Sequence, residues 1–243
     1  MAHYVSGASK KILYLPLSKQ EQRLSWPIAI VFLGGVLLLG ARQLLMACLL
    51  ALLTAVVLAI VCRAFWRETF SNIPLFGWKL LLRPILATVL HLVFCTFIYD
   101  ILMFMRVQYF VYTDWGPLLW NVRADMLQRH PQFALLAVMT VLVLPMVEEL
   151  IFRQLIFSTV HPKSPTLAVI LSVALFTAFH TLPYLGMVDT LYWWIYAFQF
   201  IPMGLFLCWM YCSTDSLLAP ILMHMLLNAI TVRNAVTYMT MFQ

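Results

Sequence analysis

Residues 133–153 read FALLAVMTVLVLPMVEELIFR, an apolar run that ends on two adjacent glutamates, Glu148 and Glu149. About 20 apolar residues are enough to cross a membrane as a helix. Carboxylates at bilayer depth are costly and are found mainly where they face a protein interior or a wet cavity. The chain holds only nine acidic residues, and two of them stand here. The stretch therefore predicts a functional site inside a membrane helix.

The composition of the whole chain points to the same class of protein. Of 243 residues, 64% are apolar and 10% are charged, and the mean hydropathy is +0.94. Soluble domains carry about 25% charged residues. The composition thus predicts an integral membrane protein. We interpret the net charge of +6 as a signal of membrane topology, and we expect no nucleic-acid partner.

The apolar runs predict an all-α fold, a polytopic transmembrane helix bundle of about seven spans. An aromatic and basic linker, residues 63–83, is predicted to lie in the membrane interface as an amphipathic segment. We divide the chain into an N-terminal membrane region of about three spans (1–132), a membrane core with the polar motifs (133–235) and a tail (236–243). The predicted spans are approximately 26–41, 44–62, 84–105, 133–152, 166–187, 191–212 and 217–232.

Lysine and arginine are distributed unequally between the two predicted sides of the bundle. Ten fall on the side of the N-terminus, if Arg153 and Lys163 are counted as a loop after the fourth span, and five fall on the other. Cytoplasmic loops carry the excess of positive charge. The N-terminus is therefore predicted to be cytoplasmic.

Polar residues recur in the last 100 positions at helical spacing. Glu149 and Arg153 are four apart and share a helix face, whereas Glu148 is turned about 100° away. Pro145, one turn earlier, removes a helical hydrogen bond. His180 stands alone in the fifth span.

A histidine and an asparagine, His224 and Asn228, share a face of the seventh span. A carboxylate that takes a proton from water and donors that stabilise an oxyanion are the parts needed to hydrolyse an amide. Glu148, His180 and His224 are also candidate ligands of a divalent metal such as zinc. Because Asn228 is a donor but a poor zinc ligand, we favour the oxyanion role for His224.

Each motif also has a structural interpretation. His180, or His224 with Asn228, would then hydrogen-bond neighbouring helices, and the glutamates would form ordinary ion pairs at a helix end. Two other functions remain open: a non-catalytic immunity or scaffold protein that binds a peptide, and a small proton-coupled transporter. The absence of an internal repeat speaks against the transporter.

Taken together, Glu-Glu-x-x-x-Arg, Phe-x-x-x-His and His-x-x-x-Asn, each in its own span, resemble the CPBP (CAAX protease and bacteriocin-processing, or Abi) family, which includes the type II CAAX prenyl endopeptidases. The resemblance covers about residues 133–232. It implies an intramembrane endopeptidase in which Glu148 activates water with the help of His180, and His224 and Asn228 form the oxyanion hole. Glu149 and Arg153 would support that geometry.

For cofactor and substrate, the resemblance leaves alternatives. The family has been described as metalloproteases, for which zinc is the candidate ion, and also as metal-free glutamate hydrolases. The implied substrate is a membrane-associated peptide or protein, with peptide pheromone or bacteriocin maturation, CAAX-type processing or self-immunity as roles. The compact chain suggests a bacterial cell membrane. The sequence does not predict an oligomeric state.

One expectation conflicts with this assignment. With the fourth span ending near residue 152, Glu148 lies close to the inner membrane surface. His180 lies about 14 residues into the fifth span, or about 21 Å from that surface at 1.5 Å per residue. The predicted boundaries therefore keep two residues apart that the mechanism needs together.

Overall fold

The computed structural model describes residues 17–39, 43–109, 130–186 and 190–241, and every regular element in these ranges is helical. Residues 110–129 of the predicted loop 106–131 and residues 242–243 of the predicted tail lie outside the described residues, whereas residues 236–241 of the tail continue the last helix. A short 3₁₀ turn, Leu182–Tyr184, follows the helix that ends at Thr181. The helices are α1 (Lys19–Leu39), α2 (Leu44–Val61), α3 (Arg63–Ser71), α4 (Ile73–Phe76), α5 (Lys79–Tyr109), α6 (Phe133–Val160), α7 (Pro165–Thr181), α8 (Thr190–Thr214) and α9 (Leu218–Met241).

The predicted helix bundle is confirmed. In the described part of the chain, α1, α2, α5, α6, α7 with its 3₁₀ turn, and α8 each contain a segment long and apolar enough to cross a membrane. The apolar part of α9, Leu218–Arg233, is shorter. The outward faces of these helices expose large apolar side chains, among them Leu38, Val93 and Trp194, as expected for surfaces that face lipid. The protein is an integral membrane protein.

The predicted end of the fourth span is wrong by eight residues. Helix α6 continues to Val160, because the polar residues that suggested its end, Arg153 and Gln154, are buried with partners of their own. Gln154 accepts a hydrogen bond from the Tyr211 hydroxyl at 2.7 Å. Arg153 is therefore not a loop residue, and it does not belong in the count of cytoplasmic charges.

This longer helix removes the conflict in depth between the two key residues. Glu148 lies twelve residues before α6 ends at Val160, and His180 lies fifteen residues after α7 begins at Pro165. The two helices are antiparallel and joined by a short turn, so these positions come to similar depths near the middle of the bundle.

The N-terminal helices pack directly onto the core. The α1–α2 hairpin lies against α6, while α5 lies against α8 and α9. Two contacts fix α1 along its length. Gln22 Nε2 donates to Thr159 Oγ1 at 2.8 Å near the end of α6, and the rings of Phe32 and Phe179 lie 5.6 Å apart.

The start of the predicted interfacial linker is a helix, α3, joined to α1 by a buried carboxylate. Ser18 and Glu21 form a reciprocal capping box at the start of α1, which satisfies two free amide groups. The other oxygen of Glu21 accepts from the Phe65 amide at 3.2 Å. The adjacent Cys62 is buried at the junction of α2 and α3, and its Sγ lies 3.4 Å from Ser25 Oγ of α1.

Candidate active site

Three helices bring Glu148, His180 and His224 together in the interior of the bundle. One ligand atom from each residue lies within 4.8 Å of the others. Glu148 Oε2 is 3.3 Å from His180 Nε2 and 3.6 Å from His224 Nε2. All three side chains are buried. The structure thus unites residues that are 76 positions apart in the sequence.

The second nitrogen of each imidazole is held by an acceptor. His180 Nδ1 lies 3.0 Å from the Phe176 carbonyl oxygen, and His224 Nδ1 lies 2.8 Å from Glu149 Oε1. A carbonyl or carboxylate oxygen accepts, so both Nδ1 atoms carry the proton. In the neutral imidazoles, both Nε2 atoms are then lone-pair acceptors that face the Glu148 carboxylate.

Arg153 fixes the neighbouring carboxylate. Its Nε and Nη1 contact the two oxygens of Glu149, each at 3.2 Å, and Nη2 donates to the Gly204 carbonyl at 3.3 Å. The guanidinium also lies 4.5 Å from the centre of the Phe176 ring, a cation–π contact. Glu149 is thus held by Arg153 and His224, and only Glu148 faces both Nε2 atoms.

A glycine lets α8 pack closely against α7 beside this contact. A Cβ on Gly204 would lie 3.2 Å from the nearest methyl carbon of Val173 on α7, which is tighter than an ordinary contact. The small residue lets α8 approach closely, and this brings its carbonyl within reach of Arg153.

Helix α6 departs from regular α-geometry on both sides of the glutamates. Residues Met139–Val143 and Leu150–Phe157 are π-helical, a feature that is frequent at functional sites. In the first segment the Leu144 amide donates to the Met139 carbonyl, five residues earlier. The next donor in that register would be Pro145, which has no N–H.

Asn228 compensates for that missing donor. Its Nδ2 donates to the Thr140 carbonyl at 2.8 Å, and Thr140 is the residue five positions before Pro145. The structure therefore places the predicted oxyanion donor against the backbone of α6, one turn along α9 from His224. Hydropathy and motif spacing gave no signal of this contact.

A partly open cleft of about 520 Å³ leads to the glutamate–histidine pair. Glu148 and His180 line it, together with Leu144 of α6 and side chains at the end of α7. The opposite wall comes from the α1–α2 hairpin. The sequence indicates no function for this part of the hairpin, because the residues that form the wall carry no polar motif; they are Val36, Leu44, Ala47 and Cys48.

The charges of the cluster do not cancel without a further cation. Two carboxylates and one guanidinium sum to −1 when both imidazoles are neutral. A buried charge requires a partner. A second proton on one imidazole would supply it, and so would a metal ion among Glu148, His180 and His224. Two imidazoles with bound Nδ1 atoms and one carboxylate fit the ligand set of catalytic zinc, which leaves one position open.

Comparison with known protein families gives a match to the region that contains this cluster. The family model described as "Type II CAAX prenyl endopeptidase Rce1-like" matches residues 130–230. Over these residues the chain is therefore similar to the CAAX proteases of the CPBP family. Searches of curated proteins and of solved structures returned no match.

The matched region contains the whole polar cluster. Every side chain of the Glu148–His180–His224 group and every partner named for it, from Thr140 to Asn228, lies within residues 130–230. The α1–α2 hairpin, which forms the far wall of the cleft, lies outside the matched region. The match supports a membrane enzyme of the CAAX-protease type.

Proposed function

We propose that this chain is an intramembrane endopeptidase that cleaves a membrane-associated peptide or protein with a water molecule activated by Glu148. The observation that carries the proposal is the buried contact of Glu148 Oε2 with both Nε2 atoms, at 3.3 and 3.6 Å. A carboxylate placed between two imidazoles at the end of an apolar cleft has the arrangement that general-base catalysis requires.

The steps follow from the hydrogen-bond partners. Glu148 removes a proton from a water molecule that His180 helps to hold, and the oxygen attacks the carbonyl carbon of the substrate. His224, when protonated, donates its Nε2–H to the developing oxyanion, because its Nδ1–H is already bound to Glu149. Glu148 then returns the proton to the leaving amine, and the peptide bond breaks.

Glu149 and Arg153 are positioning residues in this proposal. The Glu149 carboxylate orients the His224 ring and pairs with it when it is protonated, and Arg153 holds Glu149 in place through two contacts. Pairs of carboxylates whose environments differ are suited to different roles. Here the structural partners of Glu149 leave Glu148 as the proton acceptor.

A divalent metal would fit the same residues. Glu148, His180 and His224 would hold it, and it would polarise the substrate carbonyl as a Lewis acid. Glu149 would then orient His224 through Nδ1, as outer partners of metal-bound histidines do. A single proton brings the cluster to zero charge without any ion, and we favour this metal-free form.

The biological substrate is proposed only by class. A site at mid-depth in the bundle favours peptides that are themselves embedded in or attached to the bilayer. Maturation of a peptide pheromone or bacteriocin, CAAX-type processing and self-immunity all supply such substrates. A peptide precursor encoded near the gene would favour maturation.

Membrane peptides from cells that express the wild type or Glu148→Gln test the proposal. We expect substrate fragments that disappear in the variant while the protein still accumulates in the membrane. Glu68→Gln is the matched control, since Glu68 lies exposed on α3. Identical peptides in wild type and Glu148→Gln would refute an enzymatic role and leave peptide binding or transport.

A further inference from the structure

We propose that the α1–α2 hairpin selects the substrate: Val36 and Ala47 form the wall that receives the apolar side chain beside the scissile bond. The inference rests on the proposed function and extends it to a part of the chain outside residues 130–230. It assigns a role in specificity to helices that carry no polar motif.

The cleft connects this wall to the candidate site. Glu148 and His180 line the same cavity as Val36 and Ala47, so a group that fills the cavity lies next to the attacking water. The remaining lining is almost wholly apolar, with Leu144, Phe179 and Pro183 among it. An apolar side chain is therefore the occupant that this surface binds best.

The wall is held in place at both ends of α1. The Phe32–Phe179 contact lies on the cleft side, and Gln22 binds Thr159 at the opposite end. Rigidly held walls discriminate by size, because a bulkier group cannot be admitted without moving packed helices. Ala47 is the smallest side chain in the wall, so its replacement changes the space most directly.

The test uses purified protein in proteoliposomes and a library of apolar peptides, with cleavage sites read by mass spectrometry. We expect Ala47→Phe to lower the preference for bulky over small residues beside the cut by about tenfold or more, since pocket size discriminates by about 10–200-fold. Val36→Ala should shift the preference toward bulky residues. Ala59→Phe, on an exposed position of the same helix, is the matched control.

Unchanged preferences in Ala47→Phe and Val36→Ala, alongside active wild type and inactive Glu148→Gln, would overturn the inference and leave the proposed function standing. A second measurement does not depend on turnover. An apolar peptide that carries p-benzoylphenylalanine is photo-crosslinked to Glu148→Gln protein. Crosslinks within residues 36–48 that unlabelled peptide competes away support the inference. Crosslinks confined to other helices contradict it, even if the library is not cut at all.

Discussion

Two glutamates adjacent in sequence acquire different surroundings in the fold. Glu149 is enclosed by Arg153 and His224 Nδ1, whereas Glu148 faces the two Nε2 atoms and the cleft. The 100° turn between consecutive helical residues produces this division. The sequence predicted the Glu149–Arg153 pair from its spacing, but not the contact of Arg153 with the Gly204 carbonyl.

Removing the guanidinium should destabilise the protein more than removing the whole ion pair. Arg153→Met leaves Glu149 as a buried carboxylate with only His224, and breaking such pairs typically costs about 3–5 kcal/mol. The double variant Arg153→Met/Glu149→Gln should recover much of this stability. Thermal unfolding in detergent measures both. Equal losses in the single and double variants would contradict the pairing.

The role of His224 separates the metal-free from the metal-dependent form. If its Nε2–H stabilises the oxyanion, His224→Ala should lower turnover by about 10²–10³-fold. The amount of metal bound per chain should then be the same in wild type and variant. Metal analysis of purified wild type and variant, together with kinetics, checks this. One tightly bound zinc per chain that is lost with activity in His224→Ala would establish the metal-dependent form.

At the scale of the element, the irregular α6 is stabilised by its neighbour α9. Asn228→Ala should leave the Thr140 carbonyl without its donor, and an unsatisfied buried group costs about 1–3 kcal/mol. Pro145→Ala restores a backbone N–H in that region. We therefore expect the double variant Pro145→Ala/Asn228→Ala to be more stable than Asn228→Ala alone, as measured by thermal unfolding.

Activity in the same variants tests the second role predicted for Asn228. If Asn228 also contributes to the oxyanion hole, the double variant should recover stability but not turnover. Recovery of both would restrict Asn228 to supporting α6. A double variant no more stable than Asn228→Ala would show that the Thr140 contact does not compensate for Pro145.

The ends of a helix could be predicted where its buried residues are all apolar, but not where buried polar residues lie inside it. The spans of α2 and α8 were predicted within two residues of each end because their apolar runs stop where the helices stop. The end of α6 was missed because buried partners compensate Arg153 and Gln154, and such partners come from distant helices. The π-helical segments were missed because propensity scales describe only regular helices.

At the scale of the whole molecule, two contacts define one end of the bundle. Gln22 at the start of α1 meets Thr159 at the end of α6, and Arg83 in α5 donates to the Ser213 carbonyl at the end of α8. The termini of these helices therefore lie on one side. With Arg153 removed from the count, nine of the lysines and arginines remain on that side, which still predicts it to be cytoplasmic.

Cysteine labelling checks this orientation. In a background without the five native cysteines, we expect Lys19→Cys and Lys163→Cys to react with an impermeant maleimide only from the cytoplasmic side. Leu185→Cys, at the opposite end and 62% exposed, should react only from outside. The reverse pattern would invert the orientation without altering the site.

The family motifs predicted which residues would meet, but not what surrounds them. Glu148, His180 and His224 converge as the resemblance implied. The far wall of the cleft was not predictable, because the apolar residues of the α1–α2 hairpin look like any membrane span in the sequence. Only the packing of the hairpin on α6 shows that some of them face the candidate site.

Isotope incorporation tests most directly whether Glu148 directs the attack of water on the peptide bond. Purified protein in proteoliposomes is given a peptide that it cleaves, in water enriched in ¹⁸O. We expect one ¹⁸O atom in each new carboxyl terminus, and a rate about 10²–10⁴-fold lower in Glu148→Gln, with Glu68→Gln unaffected. Cleavage by Glu148→Gln at the wild-type rate would contradict the role of Glu148 as the base.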